Sequence, residues 1–178
     1  TFKGKVIGVD GGEIASITDS KTKIVVPKNV LTENRTFYLD LSTNPSTNAN
    51  ERVVLTYEIR AENPTTKENI TDLGGSITIT LHTTLSQLGA VDSNMLAVGY
   101  WNGVSWVPQD SIVRIDGSDV YVDTTTTHLS KYAIISKTSG YNKKIGKDGG
   151  EMNSTYDLKT KIVVPKNILK EDKIFTID

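Results

Sequence analysis

The chain has 178 residues and a formal net charge of −1, with 20 Lys and Arg against 21 Asp and Glu. This balance leaves no basic field of the kind that attracts nucleic acid or an anionic membrane. The absence of cysteine excludes a disulfide framework, a thiolate nucleophile and a cysteine-ligated metal site. No apolar run approaches the roughly 18 residues of a membrane span, so we expect no membrane insertion of this chain.

The first predicted elements are short strands separated by turns. Residues 5–7 form a strand that enters a turn at residues 10–12, where Asp and Gly tolerate the required backbone geometry, and residues 13–17 form the returning strand. Residues 23–26 are a β-branched strand that Pro27 ends, because proline cannot donate to a β-ladder.

The strand before Pro27 belongs to a segment that the chain contains twice. Residues 21–29 return unchanged as residues 159–167, and further matches on both sides keep the same offset of 138 residues. A fixed long period is typical of a modular array. We therefore interpret residues 1–137 as one complete repeat and residues 138–178 as a linker with the truncated beginning of the next.

Three later stretches alternate apolar and polar residues, as half-buried strands do: residues 36–41, 53–60 and 76–82. In the last of them, Ile77, Ile79 and Leu81 are expected to face the core. One helical turn is predicted around residues 86–88, and no other segment has a convincing 3.6-residue period.

Asn102-Gly103 is a strong signal for a two-residue hairpin loop. Such a loop would pair Trp101 with Val104 and put both, together with Trp106, on one face of the hairpin. Tyr100 would then lie on the other face.

A second hairpin is predicted across Asp116-Gly117, and residues 131–136 form a closing strand. Many short strands with Gly, Asn and Asp between them predict an all-β fold, an antiparallel β-sandwich. We therefore predict one complete antiparallel β-sandwich followed by the first strands of a second.

The order of three motifs resembles the ZU-five module, named for zonula occludens and the netrin receptor, and its bacterial surface-protein relatives. The motifs are a Gly-Gly turn leading to a strand ended by proline (residues 11–27), an aromatic hairpin (residues 99–106), and His128-Leu129-Ser130 before the last strand. The resemblance spans about residues 5–136, and Leu129 stands where these modules usually have Phe.

The resemblance implies a β-sandwich used as a spacer or for protein interaction. The tandem repetition favours a cell-surface or secreted protein over an intracellular adaptor. Expected partners are neighbouring repeats or other surface proteins, with polysaccharide as an alternative. Because residues 143–178 carry strands without their usual neighbours, we also expect them to seek pairing, for example in a strand-swapped homo-oligomer.

The resemblance also raises self-cleavage between Leu129 and Ser130 as an alternative function. Some ZU-five modules cut themselves at this tripeptide by an N–O acyl shift, in which the Ser hydroxyl attacks the preceding carbonyl. Here Ser130 would be the nucleophile and His128 the base. The competing interpretation is that both residues fix the loop through hydrogen bonds.

The aromatic hairpin offers a third functional class, a carbohydrate-binding module. Tyr100, Trp101 and Trp106 could stack on sugar rings. The competing interpretation places both Trp side chains in the sandwich core beside Val104 and leaves Tyr100 as the better candidate for an exposed aromatic.

Acidic turns, such as the one containing Asp10 and Glu13, offer oxygen ligands but lack the alternating pattern of a calcium loop. The two histidines, His82 and His128, are far apart in the sequence and do not indicate a metal site. We predict no metal site and no cofactor.

Overall fold

The computed structural model describes residues 4–45, 52–89, 91–136, 143–153 and 161–175. These residues form an all-β, antiparallel sandwich, as the alternating sequence pattern predicts. The chain divides into two compact units, Thr1–Gly89 with Ser93–Lys137, and Ala90–Asp92 with Thr138–Asp178. The brief linker predicted at residues 137–141 lies outside the described residues.

The larger sheet of the first unit has seven strands in the order β1-β4-β5-β12-β8-β9, with β6 also pairing with β5. Its strands are β1 (Lys5–Ile7), β4 (Arg35–Ser42), β5 (Val53–Glu62), β6 (Asn69–Ile70), β8 (Leu96–Trp101), β9 (Trp106–Pro108) and β12 (Lys131–Ser136).

The smaller sheet has five strands in the order β10-β11-β7-β3-β2. Its strands are β2 (Gly12–Ala15), β3 (Lys23–Val26), β7 (Asp72–Thr84), β10 (Ser111–Asp116) and β11 (Asp119–His128). The predicted hairpin across Asp116-Gly117 is present, since Asp116 pairs with Asp119.

The predicted helical turn is α1 (Leu85–Leu88), and a 3-10 turn covers Ser93–Met95. Thr84 caps α1 in a reciprocal capping box: its hydroxyl accepts from the backbone N–H of Gln87, and the Gln87 side chain accepts from the backbone N–H of Thr84. Within the described residues, no helix is long and apolar enough to cross a membrane.

The core lies between the two sheets. Ile77, Ile79 and Leu81 of β7 are fully buried, which confirms the predicted inner face of that strand. From the other sheet, Tyr132 is fully buried and its hydroxyl lies 2.9 Å from Oγ1 of Thr126 in β11. This bond identifies the face of the seven-stranded sheet that points toward its partner.

The turn between β1 and β2 suggests a hairpin, but the two strands do not pair with each other. β1 pairs with β4 in the larger sheet, and β2 pairs with β3 in the smaller one. Only an isolated bridge joins Gly8 to Gly11. The turn therefore carries the chain from one sheet to the other.

Among its described residues, the second unit contains four strands in two pairs: β13 (Lys143–Ile145) with β16 (Lys173–Phe175), and β14 (Gly150–Asn153) with β15 (Lys161–Val164). Both pairs keep the register of the first unit at the offset of 138 residues. Gly150 pairs with Val164 as Gly12 pairs with Val26. In the same way β13 and β16 repeat the register of β1 and β4.

Candidate functional site

The aromatic hairpin has a longer loop than Asn102-Gly103 predicts. Trp101 pairs with Trp106, so four residues connect β8 to β9. The side-chain oxygen of Asn102 accepts hydrogen bonds from the backbone N–H groups of Val104 and Ser105, both at 2.9 Å. These bonds stabilise the wider turn, and Val104 is exposed within it. The predicted pairing of Trp101 with Val104 was wrong for this reason.

The two tryptophans lie on the outer face of the seven-stranded sheet. Tyr132 points inward, so the next residue of β12, Ala133, points outward. Ala133 is directly opposite Gly99, and Trp101 follows two residues later on the same face of β8. Trp106, as the cross-strand partner of Trp101, shares this outer face.

Trp106 is buried in a small second core on that outer face. It packs with Ala97, Ala133 and Ile135, and its Nε1 atom donates to Oδ1 of Asn44 at 3.1 Å. The ring of Trp101 packs edge-on against it, with centroids 5.5 Å apart, and Trp101 itself is only half-buried. The arrangement differs from both predicted alternatives, because the pair is outside the sandwich core and only Trp101 keeps a partly accessible ring.

Tyr100 is not the exposed aromatic that the two-residue loop predicts. It is directly opposite Tyr132 and therefore faces inward. Its half-buried ring meets the ring of His128 edge-on, with centroids 4.6 Å apart.

His128 and Ser130 are held by separate partners. The Ser130 hydroxyl donates to the carbonyl of Trp101 at 2.9 Å. The Nδ1 atom of His128 lies 3.1 Å from Oγ1 of Thr126, and its Nε2 atom is buried without a hydrogen-bond partner in the described structure. The contacts of both side chains are those of residues that fix the loop before β12.

A cleft opens beside Trp101, and its lining includes residues of β5, β6 and the start of β12. We call it the Trp101 cleft, and we define it by Glu58, Arg60, Asn69, Trp101 and Lys131. Its volume is about 300 Å³, at the small end of ligand pockets. Of the aromatic residues that the sequence proposes for ligand binding, this cleft contains Trp101.

Sequence reasoning missed a polar network around His82. This side chain is buried, and its two ring nitrogens lie 2.8 Å from Oδ2 of Asp19 and 3.0 Å from Oδ1 of Asp119. Each carboxylate oxygen can accept a hydrogen bond from the ring nitrogen that faces it. Lys21 binds the other oxygen of Asp119, and Thr22 donates to Asp19 at 3.0 Å.

The hydrogen bonds in this network affect the ionisation of its members. The bond from Lys21, and then the bond from His82, hold the pKa of the Asp119 carboxyl below its usual value. The same carboxylate raises the pKa of Lys21. The two carboxylates lie on opposite sides of the imidazole, and no group of metal-ligating side chains is present among the described residues.

One signal of this network is available in the sequence. Asp19, Lys21 and Thr22 recur at the offset of 138 as Asp157, Lys159 and Thr160, whose structure lies outside the described residues. The doubled segment thus includes three of the groups around His82. The other two, His82 and Asp119, come together only through the pairing of β11 with β7.

A second cleft, of about 310 Å³, lies next to His82. Several of its polar side chains already have hydrogen-bond partners. Asp19 and His82 pair as described, Thr18 bonds Ser16, and Gln87 accepts from Thr84. This cleft therefore offers a ligand fewer unoccupied hydrogen-bonding groups than the Trp101 cleft does.

No protein-family model matches the chain, and no curated protein matches it in sequence. The resemblance to ZU-five modules stays a prediction that rests on the three motifs and their order.

Proposed function

We propose that the chain is a structural and interaction repeat of a multi-domain cell-surface or secreted protein. It acts as a spacer or protein-binding module and has no catalytic role. The observation that carries the proposal is the common register of the two copies. Lys143 pairs with Phe175 as Lys5 pairs with Phe37, and this common register supports a repeated structural unit for the repeated sequence.

A repeat of this size suits a spacer. One copy spans roughly the length of a typical domain and has its own buried core, so copies can follow one another along a chain without sharing a core. The first copy also presents turns and strand edges on its surface, where β-domains bind other proteins.

Two strand edges that are paired within the first copy have no neighbour in the second copy among the described strands. β4 pairs with β5 and β3 pairs with β7, whereas β16 and β15 have only one neighbour each among the described strands. An uncovered edge presents unpaired backbone groups and favours pairing. We propose that these edges bind the corresponding strands of a complete second copy, or exchange with residues 5–40 of another molecule in a strand-swapped homo-oligomer.

The proposal can be tested by completing the second copy. Residues 41–137 of this chain are added after Asp178, and a scrambled extension of equal length and composition is the control. We expect the native extension alone to raise amide-exchange protection at residues 162–164 to the level of residues 24–26, and to increase the denaturant m-value. Equal protection with both extensions would refute the modular interpretation.

Size-exclusion chromatography with light scattering tests the exchange. We expect the chain to form concentration-dependent dimers or larger species, and the native extension to reduce them because it covers the same edges intramolecularly. A monomer at all concentrations, with residues 143–178 rapidly cut by protease, would exclude the exchange while leaving the repeat proposal to the preceding test.

A further inference from the structure

The outer face of the seven-stranded sheet carries charged and aromatic side chains in one cross-strand row. Glu58 of β5 is directly opposite Lys131 of β12. The pairing of Tyr132 with Tyr100 places Lys131 beside Trp101 in the same antiparallel ladder. A carboxylate, an ammonium group and an indole are therefore neighbours along the wall of the Trp101 cleft.

Several polar groups of the cleft have no side-chain partner among the residues that the structure describes. Within the described residues, the side chains of Glu58, Asn69 and Lys131 make no hydrogen bond or ion pair, although Glu58 and Lys131 lie opposite each other. They supply both donors and acceptors. Their hydrogen-bonding capacity is available to a ligand with several hydroxyl groups.

The charges around the cleft balance. Arg60 pairs with Asp40 at 3.2 Å and lies over the ring of Tyr38, 4.6 Å from its centroid. Glu58 and Lys131 add one charge of each sign. A balanced site attracts phosphate and polyanionic ligands less than a basic cluster does, so the charge pattern favours a neutral ligand.

Trp101 is held in place before any ligand arrives. Its ring packs edge-on against Trp106, which is buried and bonded to Asn44. Its backbone carbonyl accepts the Ser130 hydroxyl at 2.9 Å. A ring that is already ordered loses little conformational entropy on binding, which favours affinity.

We propose that the Trp101 cleft is a saccharide-binding site that takes one or two rings of a neutral sugar. The apolar C–H face of the sugar packs on the accessible part of the Trp101 indole, and its hydroxyls bond Glu58, Asn69 and Lys131. This function goes beyond that of a spacer and does not depend on it, because every residue of the site belongs to the first unit.

The proposal is tested by NMR titration of the isotope-labelled 178-residue chain with cellotetraose, xylotetraose, mannotetraose and tetra-N-acetylchitotetraose. Each is added to about 10 mM, which covers weak sites. We expect at least one sugar to give saturable shifts at the Trp101 indole N–H and at the amides of residues 58–60 and 130–131. A heparin tetrasaccharide is the anionic comparison and should not compete.

Variants locate the binding. Trp101→Ala, and independently the double variant Glu58→Gln and Lys131→Gln, should each weaken binding about tenfold or more. The matched control is Glu13→Gln with Lys23→Gln, an opposite-charge pair on the smaller sheet, and it should leave binding unchanged. A thermal melt confirms that each variant is folded. If Trp101→Ala is unfolded, the double variant alone tests the site.

Three results would overturn the proposal. One is the absence of saturable shifts with all four sugars. Another is binding that survives both site variants while the variants remain folded. The third is tighter binding of the heparin tetrasaccharide than of every neutral sugar, since it would assign the cleft to an anionic ligand.

Discussion

The Nδ1 atom of His82 lies 2.8 Å from Oδ2 of Asp19, a residue 63 positions earlier in the chain. On the other side of the ring, the Nε2 atom lies 3.0 Å from Oδ1 of Asp119. The imidazole thus ties the turn before β3 and the start of β11 to β7, the central strand of the smaller sheet.

Replacing His82 with Gln should therefore destabilise the first unit. A Gln side chain cannot reach both carboxylates in opposite directions as the imidazole does, so at least one of Asp19 and Asp119 loses its contact with residue 82 and keeps its bond to Thr22 or Lys21. We expect a loss of about 1–3 kcal/mol in the free energy of unfolding, measured by urea denaturation. The exposed Lys28→Gln substitution is the control, and an equally small effect of both variants would contradict the structural role of His82.

Acid should weaken the same network. Hydrogen bonds from Lys21 and His82 lower the pKa of Asp119 in the folded chain. The ionised Asp119 carboxylate therefore stabilises the fold fully above the unfolded pKa near 3.8, and this stabilisation is lost as pH falls through the folded pKa. Asp119→Asn should lower the urea midpoint at pH 7, and the difference from the parent chain should shrink below about pH 4. A difference that stays constant down to acidic pH would show that charge is not involved.

At the alkaline end, Tyr132 should resist ionisation. Burial raises its pKa to about 12 from the ordinary value of 10.0. Because the folded value is the higher one, its effect on stability is fully present below pH 10 and is lost as pH rises toward 12. Absorbance titration at the phenolate band should find a late-titrating fraction that is smaller by one tyrosine in Tyr132→Phe; Tyr38, whose pKa is raised by its hydrogen bond to Glu62, remains in it. Loss of its hydrogen bonds to Thr126 and the His128 carbonyl should also cost about 1 kcal/mol at neutral pH.

Gly11 and Gly149 offer a matched pair at the offset of 138. Their φ angles are +72° and +70°, and an added Cβ would lie 2.8 Å from the backbone nitrogen of Lys28 or Lys166. Each change to Ala should cost roughly 2 kcal/mol or more and lower amide-exchange protection in its own copy. Gly103→Ala is the control, because it has a φ of +98° but open space around it. If Gly103→Ala were equally damaging, backbone conformation alone and not the close contact would explain the effect.

The contacts of Ser130 predict that the chain stays intact. Its hydroxyl donates to the Trp101 carbonyl, and His128 bonds Thr126 instead of Ser130. Denaturing mass spectrometry should find the mass of the full 178-residue chain after prolonged incubation at neutral pH. Fragments that end at Leu129 would contradict this and restore self-cleavage as a function.

Local patterns predicted most of the strands. β3, β12 and α1 follow their β-branched or capped sequences, and the inward residues of β7 follow simple alternation. The aromatic hairpin was predicted with the wrong register, because the Asn102 side chain satisfies two backbone groups and makes a four-residue loop favourable. A change in loop length changes which residues are paired and therefore which residues share a face.

The sequence by itself determined the all-β class, since strand periodicity and turn residues are local properties, and it determined the repetition at 138 residues, since that needs only a comparison of two segments of the sequence. Only the tertiary structure decided that β1 and β2 belong to different sheets, that the tryptophans lie on the outer face, and that His82 meets two carboxylates. These features depend on contacts between residues tens of positions apart. Such contacts are set by how two sheets bury their apolar faces against each other, which no short window of sequence contains.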